Sequence, residues 1–383
     1  MKTLLLKNAD VIVPGGKLKM TSVLIEGGRI TEIGAKNIRG VQKIDLAGKT
    51  LYPGFIDLHI HGAAGVDVMN CDLAGLRRLA RFLYGRGTTR WMPTLVPDSD
   101  ENYHRAINVI GQFCEDQARG MFAKIAGAHY EGPFVNEKQC GALHEQYFRG
   151  FEKATDLSSL PTLPSDNAKR LMTVAPEVSG GIRLIKALRK KGWIVSIGHT
   201  RADVKTLDAA FVAGARHMTH FFNAMTGIHH RDLGVAGWGL SKAQMTCDVI
   251  ADGVHVHPAM LRLLYKVKTA GGLSLISDAI LPTGLRDGKY EVWNEKITVK
   301  KGRTANERGS IAGSVITMAD AVRMMLSLGI PEWEVAQMAS TNPARILGID
   351  SEYGSIEAGK YAEMVALDKR GKVARVIIPY ETL

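Results

Sequence analysis

Cysteine is scarce in this chain of 383 residues. The four cysteines have no CxxC spacing and are too dispersed to form a disulfide framework. This usage suits a protein kept in a reducing compartment, so we exclude a disulfide-stabilised secreted scaffold and interpret all four as ordinary thiols. The cysteines are Cys71, Cys114, Cys140 and Cys247.

Long apolar runs are missing as well. No segment approaches the roughly 18 apolar residues that a membrane-spanning helix needs. The first stretch, MKTLLLKNADVIVPGG, has a lysine among its apolar residues and soon reaches Asp10, which is unlike the apolar region of a signal peptide. We therefore expect that stretch to be a strand, and we expect a cytoplasmic protein without a membrane partner.

Charged blocks, low-complexity tracts and a basic tail are also absent, although the formal net charge is +11. Lysine and arginine are spread along the whole chain and form no patch interleaved with aromatic residues. Net charge alone is weak support for nucleic-acid binding, so we expect no nucleic-acid partner. Attraction of a small anionic substrate explains the positive charge better.

The chain does contain eight short apolar runs that each end in a polar residue. Most runs are separated by helix-like stretches such as GGIRLIKALRKKG. Eight alternations of strand and helix are typical of an α/β protein with a (β/α)8 TIM barrel, in which the strand carboxyl ends meet on one face. The runs end at His59 and His61, Thr94, Glu131, Glu177, His199, His220, Asp252 and His255, and Asp278. Caps and satisfied core groups would explain one such residue, but not six at successive strand ends.

The chain is longer than the roughly 250 residues of a bare barrel, which leaves room for a second small unit. Both chain ends contain short strand-like segments joined by glycine turns. We predict that residues 1–53 and 351–383 form one small β-sandwich domain, and that residues 54–350 form the barrel domain. The stretch LRDGKYEVWNEKITVKKGRTANERGSIAGS is interpreted as a hairpin insertion over the barrel mouth.

A metal site is predicted from the His-x-His spacing of His59 and His61. Side chains two residues apart in a strand point to the same face, so both imidazoles can hold one ion. Mixed nitrogen and oxygen ligation suits Zn²⁺, Fe²⁺, Mn²⁺ or Co²⁺. The further predicted ligands at strand ends are His199, His220, Glu131 and Asp278.

Three polar groups near these ligands have simpler interpretations. His129 lies two residues before Glu131 and shares its face of the strand. We favour a packed, hydrogen-bonded His129 over a metal ligand. For Thr94 and Glu177 we expect hydrogen bonding at the barrel mouth.

Several motifs together resemble a known family. The set FIDLHIHG, GAHYEGPF, SIGHT, HMTHFFNAMTGIHHRDLG, IADGVHVHP and SDA is similar to the amidohydrolase superfamily and, within it, to the N-acetylglucosamine-6-phosphate deacetylases. The likeness covers nearly the whole chain, including the closing GSIEAGKYAEMVALD. His-x-His and the closing motif mark only the superfamily, whereas HxEGPF with THxxNAM…HHR and ADGxH is close to diagnostic for the deacetylases.

This resemblance implies roles for individual residues. Glu131, His199 and His220 would hold the main divalent ion, and His59 and His61 a second one, so that one or two ions bind per subunit. Zinc is the first expectation, with iron, manganese and cobalt as alternatives. The implied catalytic residues are Asp278, as general base and acid, and His255, which also contacts substrate. The implied substrate-binding residues are Ala142, His144, Asn223, Ala224 and Arg231, the last three at the phosphate.

The resemblance also implies a reaction and an assembly. A metal-bound water would attack the acetamide carbonyl of N-acetylglucosamine 6-phosphate, and Asp278 would pass its proton to the leaving amine. The products would be glucosamine 6-phosphate and acetate. The implied partner is thus a small amino-sugar phosphate, and relatives of this kind commonly form homodimers.

One departure from the family pattern concerns the sugar. The family usually has Gly-Ala-His after the glutamate, but here Gly141 and Ala142 are followed by Leu143 and then His144. Either the loop is shifted by one residue or a sugar contact is lost. An epimeric substrate such as N-acetylgalactosamine 6-phosphate therefore stays open, as do, less favoured, a cyclic-amide hydrolase and a non-catalytic sugar-phosphate-binding protein.

Overall fold

The computed structural model describes residues 3–36, 38–117, 120–165 and 167–378. The first described strands pair around β1, whose first half lies beside β4 and whose second half lies beside β5. Along its other edge, β1 pairs antiparallel with β2, and β2 in turn pairs antiparallel with β3. These strands are β1 (Leu4–Val13), β2 (Gly16–Glu26), β3 (Arg29–Ile33), β4 (Gln42–Asp45) and β5 (Thr50–Pro53).

The middle of the chain forms the barrel. The strands in this part of the chain are β6 (Phe55–Ile60), β7 (Gly62–Ala63), β8 (Val66–Asp67), β9 (Thr88–Leu95), β10 (Lys124–Ile125), β11 (Gly127–Glu131), β12 (Lys169–Val174), β13 (Ile194–Ile197), β14 (His217–Met218), β15 (Thr246–Ile250) and β16 (Leu273–Ile276). Strands β7 and β8 form a separate two-stranded sheet. Strands β6, β9 and β11 to β16 pair in parallel in that order. The backbone N–H of Asp278 donates to His59 O at 2.9 Å and brings the last strand back to the first. The predicted (β/α)8 barrel is confirmed.

The barrel strands are apolar because both of their faces are covered. All six residues of β6 are buried, and the helices outside the barrel turn one apolar face toward the strands. The described α-helices are α1 (Leu73–Gly85), α2 (Asp100–Asp116), α3 (Gly181–Lys190), α4 (Val204–Ala213), α5 (Gly234–Ser241), α6 (Pro258–Lys268), α7 (Met318–Ser327), α8 (Glu332–Ala336) and α9 (Asn342–Leu347). Among the described residues, no helix combines the length and the hydrophobicity that a transmembrane span requires.

The insertion after Asp278 contains the predicted hairpin and adds a third antiparallel strand to it. The chain then returns to the first sheet, where a strand near its end pairs antiparallel with β5. The remaining strands are β17 (Gly288–Val292), β18 (Glu295–Lys300), β19 (Arg303–Ala305), β20 (Met364–Leu367) and β21 (Val373–Ile377).

Both chain ends therefore share one seven-stranded sheet, outside the barrel, with its own apolar core. Leu6 and Val23 from the first part of the chain pack there with Met364 and Ala366 from the last part. The division into 1–53 with 351–383 and 54–350 stays a prediction. Residues 1–2 and 379–383 of these segments lie outside the described residues.

Candidate active site

Three of the polar residues beyond the strand ends have a left-handed backbone. His199 (φ 48°), His220 (φ 31°) and Asp278 (φ 49°) each follow a barrel strand by two residues. A residue other than glycine rarely adopts this conformation, which costs roughly 1–2 kcal/mol. Such strain concentrates at functional sites, where the surrounding structure maintains it. Here it turns the chain sharply at three points of the barrel mouth.

Glu131, at the end of β11, lies at the centre of the site. Its Oε1 is 3.0 Å from Nε2 of His199 and 3.0 Å from Nε2 of His220. The two histidine nitrogens are 3.1 Å apart. All three side chains are buried, and we refer to Glu131, His199 and His220 as the first ligand group.

A second cluster uses the same carboxylate. Nε2 of His59 lies 3.5 Å from Glu131 Oε1, and Nε2 of His61 lies 3.3 Å from Glu131 Oε2. We refer to His59, His61 and Glu131 as the second ligand group. Asp278 Oδ1 is 3.4 Å from His59 Nε2 and 3.3 Å from His61 Nε2, so it borders this group. Glu131 thus belongs to both groups.

Charge is concentrated among these buried side chains. Burial opposes ionisation of Glu131, but the imidazoles, that of His59 first, outweigh it and hold the pKa of Glu131 well below its usual value. Burial also opposes a charge on His61, yet the carboxylates of Asp278 and Glu131 raise its pKa to about 10. The pKa of Asp278 is lowered because His59 and His61 outweigh the effect of its burial. The centre therefore favours positive charge, carried either by protons on the imidazoles or by a cation among them.

The donor set fits a divalent metal ion. In each group, one donor atom per residue lies within 4.8 Å of the others, and the donors are imidazole nitrogens and carboxylate oxygens. Metal-binding histidines usually engage their second ring nitrogen with a carbonyl or carboxylate. His199 does so through Nδ1, 2.7 Å from Gln139 O, and His61 through Nδ1, 3.3 Å from Thr94 O. Both rings are thereby oriented with Nε2 toward Glu131.

His255 is held by the carboxylate of Asp252. Its Nδ1 lies 2.6 Å from Asp252 Oδ2, and the N–H groups of Val254 and His255 both donate to Asp252 Oδ1 at 2.8 Å. Burial raises the pKa of Asp252, but the hydrogen bond and charge of His255 outweigh it and lower the pKa. Because Nδ1 is engaged, Nε2 is the ring nitrogen that remains available in the cavity that His255 lines.

A cavity of about 150 Å³ lies above the two groups. Of the residues expected to bind substrate, Ala142, Asn223, Ala224 and His255 line it. Leu143 also lines the cavity, whereas His144 is not among the lining residues. Arg231 is exposed, lies outside the lining and has its Nη1 2.6 Å from His230 Nε2. The further lining residues are His61, Glu131, Gly141, His199, His220, Asp278, Trp293, Ile311 and Gly313.

The simpler interpretations of three polar groups are confirmed. His129 is buried, with Nε2 2.8 Å from Thr173 Oγ1 and Nδ1 3.2 Å from Leu58 O. Thr94 Oγ1 accepts the Ile60 N–H at 2.9 Å. The carboxylate of Glu177 accepts from Asn136, Thr200 and the N–H of Arg201 at the barrel mouth.

The fold also brings to the site residues that no motif in the sequence indicated. Trp293 and Ile311 come from the inserted sheet region, and only their place in a stretch predicted to cover the barrel mouth pointed to them. Asp57 was missed as well. Its carboxylate accepts from Ser277 N–H at 3.2 Å and Ser277 Oγ at 2.5 Å, and so links β6 to the end of β16 beside Asp278. Burial raises its pKa to about 6.

Known proteins resemble this chain over nearly all of its length. Residues 50–379 match the amidohydrolase family. The chain is 37% identical over 329 residues to an N-acetylgalactosamine-6-phosphate deacetylase of Escherichia coli O157:H7, covering 86% of each protein. It is 32% identical over 382 residues to an N-acetylglucosamine-6-phosphate deacetylase of Bacillus subtilis (strain 168), covering 98% of this chain and 96% of the relative. A crystallised Mycobacterium smegmatis N-acetyl-D-glucosamine-6-phosphate deacetylase mutant, in complex with N-acetyl-D-glucosamine-6-phosphate, matches with a TM-score of 0.88 at 29% identity, covering 98% of both chains.

Proposed function

This chain belongs to the amidohydrolase family, and we propose that it hydrolyses N-acetylglucosamine 6-phosphate to glucosamine 6-phosphate and acetate. One observation carries the proposal: Glu131 joins two histidine pairs at the floor of a cavity, with Asp278 beside it. That arrangement suits hydrolysis of an amide. The named activities of the related proteins supply the substrate class.

The metal is proposed to bind first to Glu131, His199 and His220. A second ion is proposed at His59 and His61, with Glu131 shared between the two. Zinc is the expected metal, with iron, manganese and cobalt as alternatives that the same donors accept. When bound, such an ion supplies Lewis-acid chemistry, which polarises a carbonyl and makes water a stronger nucleophile near pH 7.

Asp278 is proposed to move the proton. Its lowered pKa keeps the carboxylate ionised, so it can accept a proton from the attacking water. The same carboxyl group then delivers that proton to the amine nitrogen as the C–N bond breaks. Asp278 lines the cavity beside His61, within reach of a substrate that lies over the ligand groups.

The remaining polar residues are proposed to orient the substrate. His255, held by Asp252, would hydrogen bond near the scissile amide through Nε2. Asn223 and the backbone N–H of Ala224 would face the phosphate, and Arg231 would complete that contact from its exposed loop. Ala142 and His144 belong to the loop that is proposed to contact the sugar ring.

A second candidate substrate, N-acetylgalactosamine 6-phosphate, is favoured by two observations. A relative named for that sugar is 37% identical to this chain. Leu143 lines the cavity in the loop where the family usually places a histidine that contacts the sugar. A leucine at this position lacks the hydrogen-bonding group through which a histidine would contact a ring hydroxyl of the sugar.

The proposal is tested by measuring acetate release from both N-acetylhexosamine 6-phosphates, with metal analysis of the same sample. We expect turnover of the gluco sugar with at least one divalent ion per chain. A kcat/KM higher by about tenfold for the galacto sugar, within the range that one ring contact supplies, would move the assignment to that epimer. Release of acetate from neither sugar by metal-loaded protein would reject the deacetylase.

We further propose a cytoplasmic homodimer with the domain division given above. The sharing of one sheet by both chain ends supports the division, and cysteine usage supports the location. Light scattering after size-exclusion chromatography tests the dimer, and a monomer mass at working concentration would reject it.

A further inference from the structure

Trp293 has an unusual backbone position. It forms, with Asn294, the two-residue turn between β17 and β18, where Val292 pairs with Glu295. Both turn residues are left-handed, with φ of 52° for Trp293 and 59° for Asn294. Turns of this kind favour asparagine, aspartate or glycine, and a bulky side chain at positive φ is an outlier. An outlier of this kind points to a function for the side chain.

The indole of Trp293 lies in the wall of the active-site cavity. Its ring meets that of His61 edge-on, with centroids 5.0 Å apart and an interplanar angle of 82°. Ile311, from the same insertion, lines the cavity with it. Behind them, Ile280, Val292 and Ala312 form a buried apolar cluster against which Trp293 packs. The indole therefore contributes an apolar surface to the cavity wall, supported from behind by this cluster.

This apolar surface lies beside the side chains that are proposed to bind the metal and transfer the proton. His61 Nε2, on the ring that Trp293 contacts, is 3.3 Å from both Asp278 Oδ1 and Glu131 Oε2. An amide carbonyl attacked there has two substituents that point away from each other. The nitrogen leads to the sugar, which is proposed to extend toward Asn223 and Ala224 beyond β14. The acyl group then points away from the sugar, toward the insertion beyond β16.

We propose that Trp293 and Ile311 form an acyl wall that limits the substrate to a short N-acyl group such as acetyl. This inference rests on the proposed deacetylase function and adds the acyl-length selectivity of the same site. A methyl group would fill the space against the indole, and each further methylene would collide with it. The strained turn is the means by which a rigid ring reaches the cavity.

The test compares N-acetyl-, N-propionyl- and N-butyryl-glucosamine 6-phosphate, together with N-acetylgalactosamine 6-phosphate, in the metal-loaded wild type and in Trp293→Asn. Asparagine is chosen because it accepts the left-handed turn, so the hairpin keeps its fold while the cavity loses its wall. Asn294→Gly is the matched control, because it alters the neighbouring turn position and leaves the indole in place. Carboxylate release, metal content and thermal unfolding are measured for each protein.

We expect the ratio of kcat/KM for the propionyl over the acetyl substrate to rise by about tenfold or more in Trp293→Asn, which is the discrimination that one methylene supplies. The control should keep the wild-type ratio. An unchanged ratio in Trp293→Asn, with wild-type metal content and unfolding temperature, would overturn the acyl wall. A changed preference between gluco and galacto sugars without a changed acyl ratio would also overturn it, since the indole would then contact the sugar ring. Wild-type protein that releases no carboxylate from any substrate would reject the proposed function itself.

Discussion

The two ligand groups share Glu131 but are built differently. In the first group, both histidines lie 3.0 Å from one oxygen, and both have left-handed backbones beyond their strands. In the second group, the histidines lie 3.5 and 3.3 Å from two different oxygens, and both also approach Asp278. The first group is a tight set of three donors. In the second group, the histidine nitrogens face both Glu131 and Asp278, the residue proposed to transfer protons. We therefore expect the second group to bind an ion more weakly.

Glu131→Ala should have the largest effect, because its carboxylate serves both groups. We expect metal content to fall at both sites and activity to drop by more than the roughly 10²–10⁴-fold that a general base supplies. Metal analysis with kcat measurement checks this. Full metal content in the variant would show that neither group depends on Glu131.

Asp278→Asn should separate proton transfer from ion binding. The substitution keeps the size of the side chain and the left-handed turn, so the fold should persist. We expect kcat to fall by about 10²–10⁴-fold while the metal content of the first group is unchanged. Activity within a few-fold of wild type would remove Asp278 from the mechanism.

The double substitution His59→Ala/His61→Ala should break only the second group. We expect one ion per chain to be lost, with a fall in its affinity greater than the ~10–100-fold typical of changes beyond the direct ligands. His199→Ala/His220→Ala is the matched variant, and it should empty the first group instead. Equal metal stoichiometry in the His59/His61 variant and the wild type would show that this pair binds no ion of its own.

Arg231→Ala should leave both groups intact and produce the smallest loss. We expect binding of the phosphorylated substrate to weaken by roughly 1.5–3 kcal/mol, the range for a hydrogen bond to a charged group. The unphosphorylated sugar should be little affected. Comparing kcat/KM for both sugars in both proteins decides the matter, because an equal loss on each would assign Arg231 a structural role.

The clustering of the residues predicted as ligands and proton-transfer group could be foreseen from the sequence for a geometric reason. Parallel strands in a barrel bring their carboxyl ends to one face, so His59, Glu131, His199, His220 and Asp278 had to meet once the eight runs were identified. The sharing of Glu131 was not accessible. It depends on distances between side chains at the ends of four different strands, and the spacing within one strand does not contain those distances.

The positions of the loop residues were even less predictable from the sequence. The sequence predicted an insertion over the barrel mouth, but only the fold turns Trp293 inward against His61. It also decides that Leu143 lines the cavity and that Arg231 lies outside the lining.

The barrel, the polar residues at its strand ends and the family all follow from patterns within the sequence. Periodicity and motif spacing are properties of short segments. The parallel sheet then brings the carboxyl ends of those segments to one face of the barrel. Only the folded chain shows which carboxylate lies between the two histidine pairs and which side chains enclose the cavity. Those outcomes depend on how loops distant in sequence pack against the barrel mouth, and contacts of that kind leave no periodic signal in the chain.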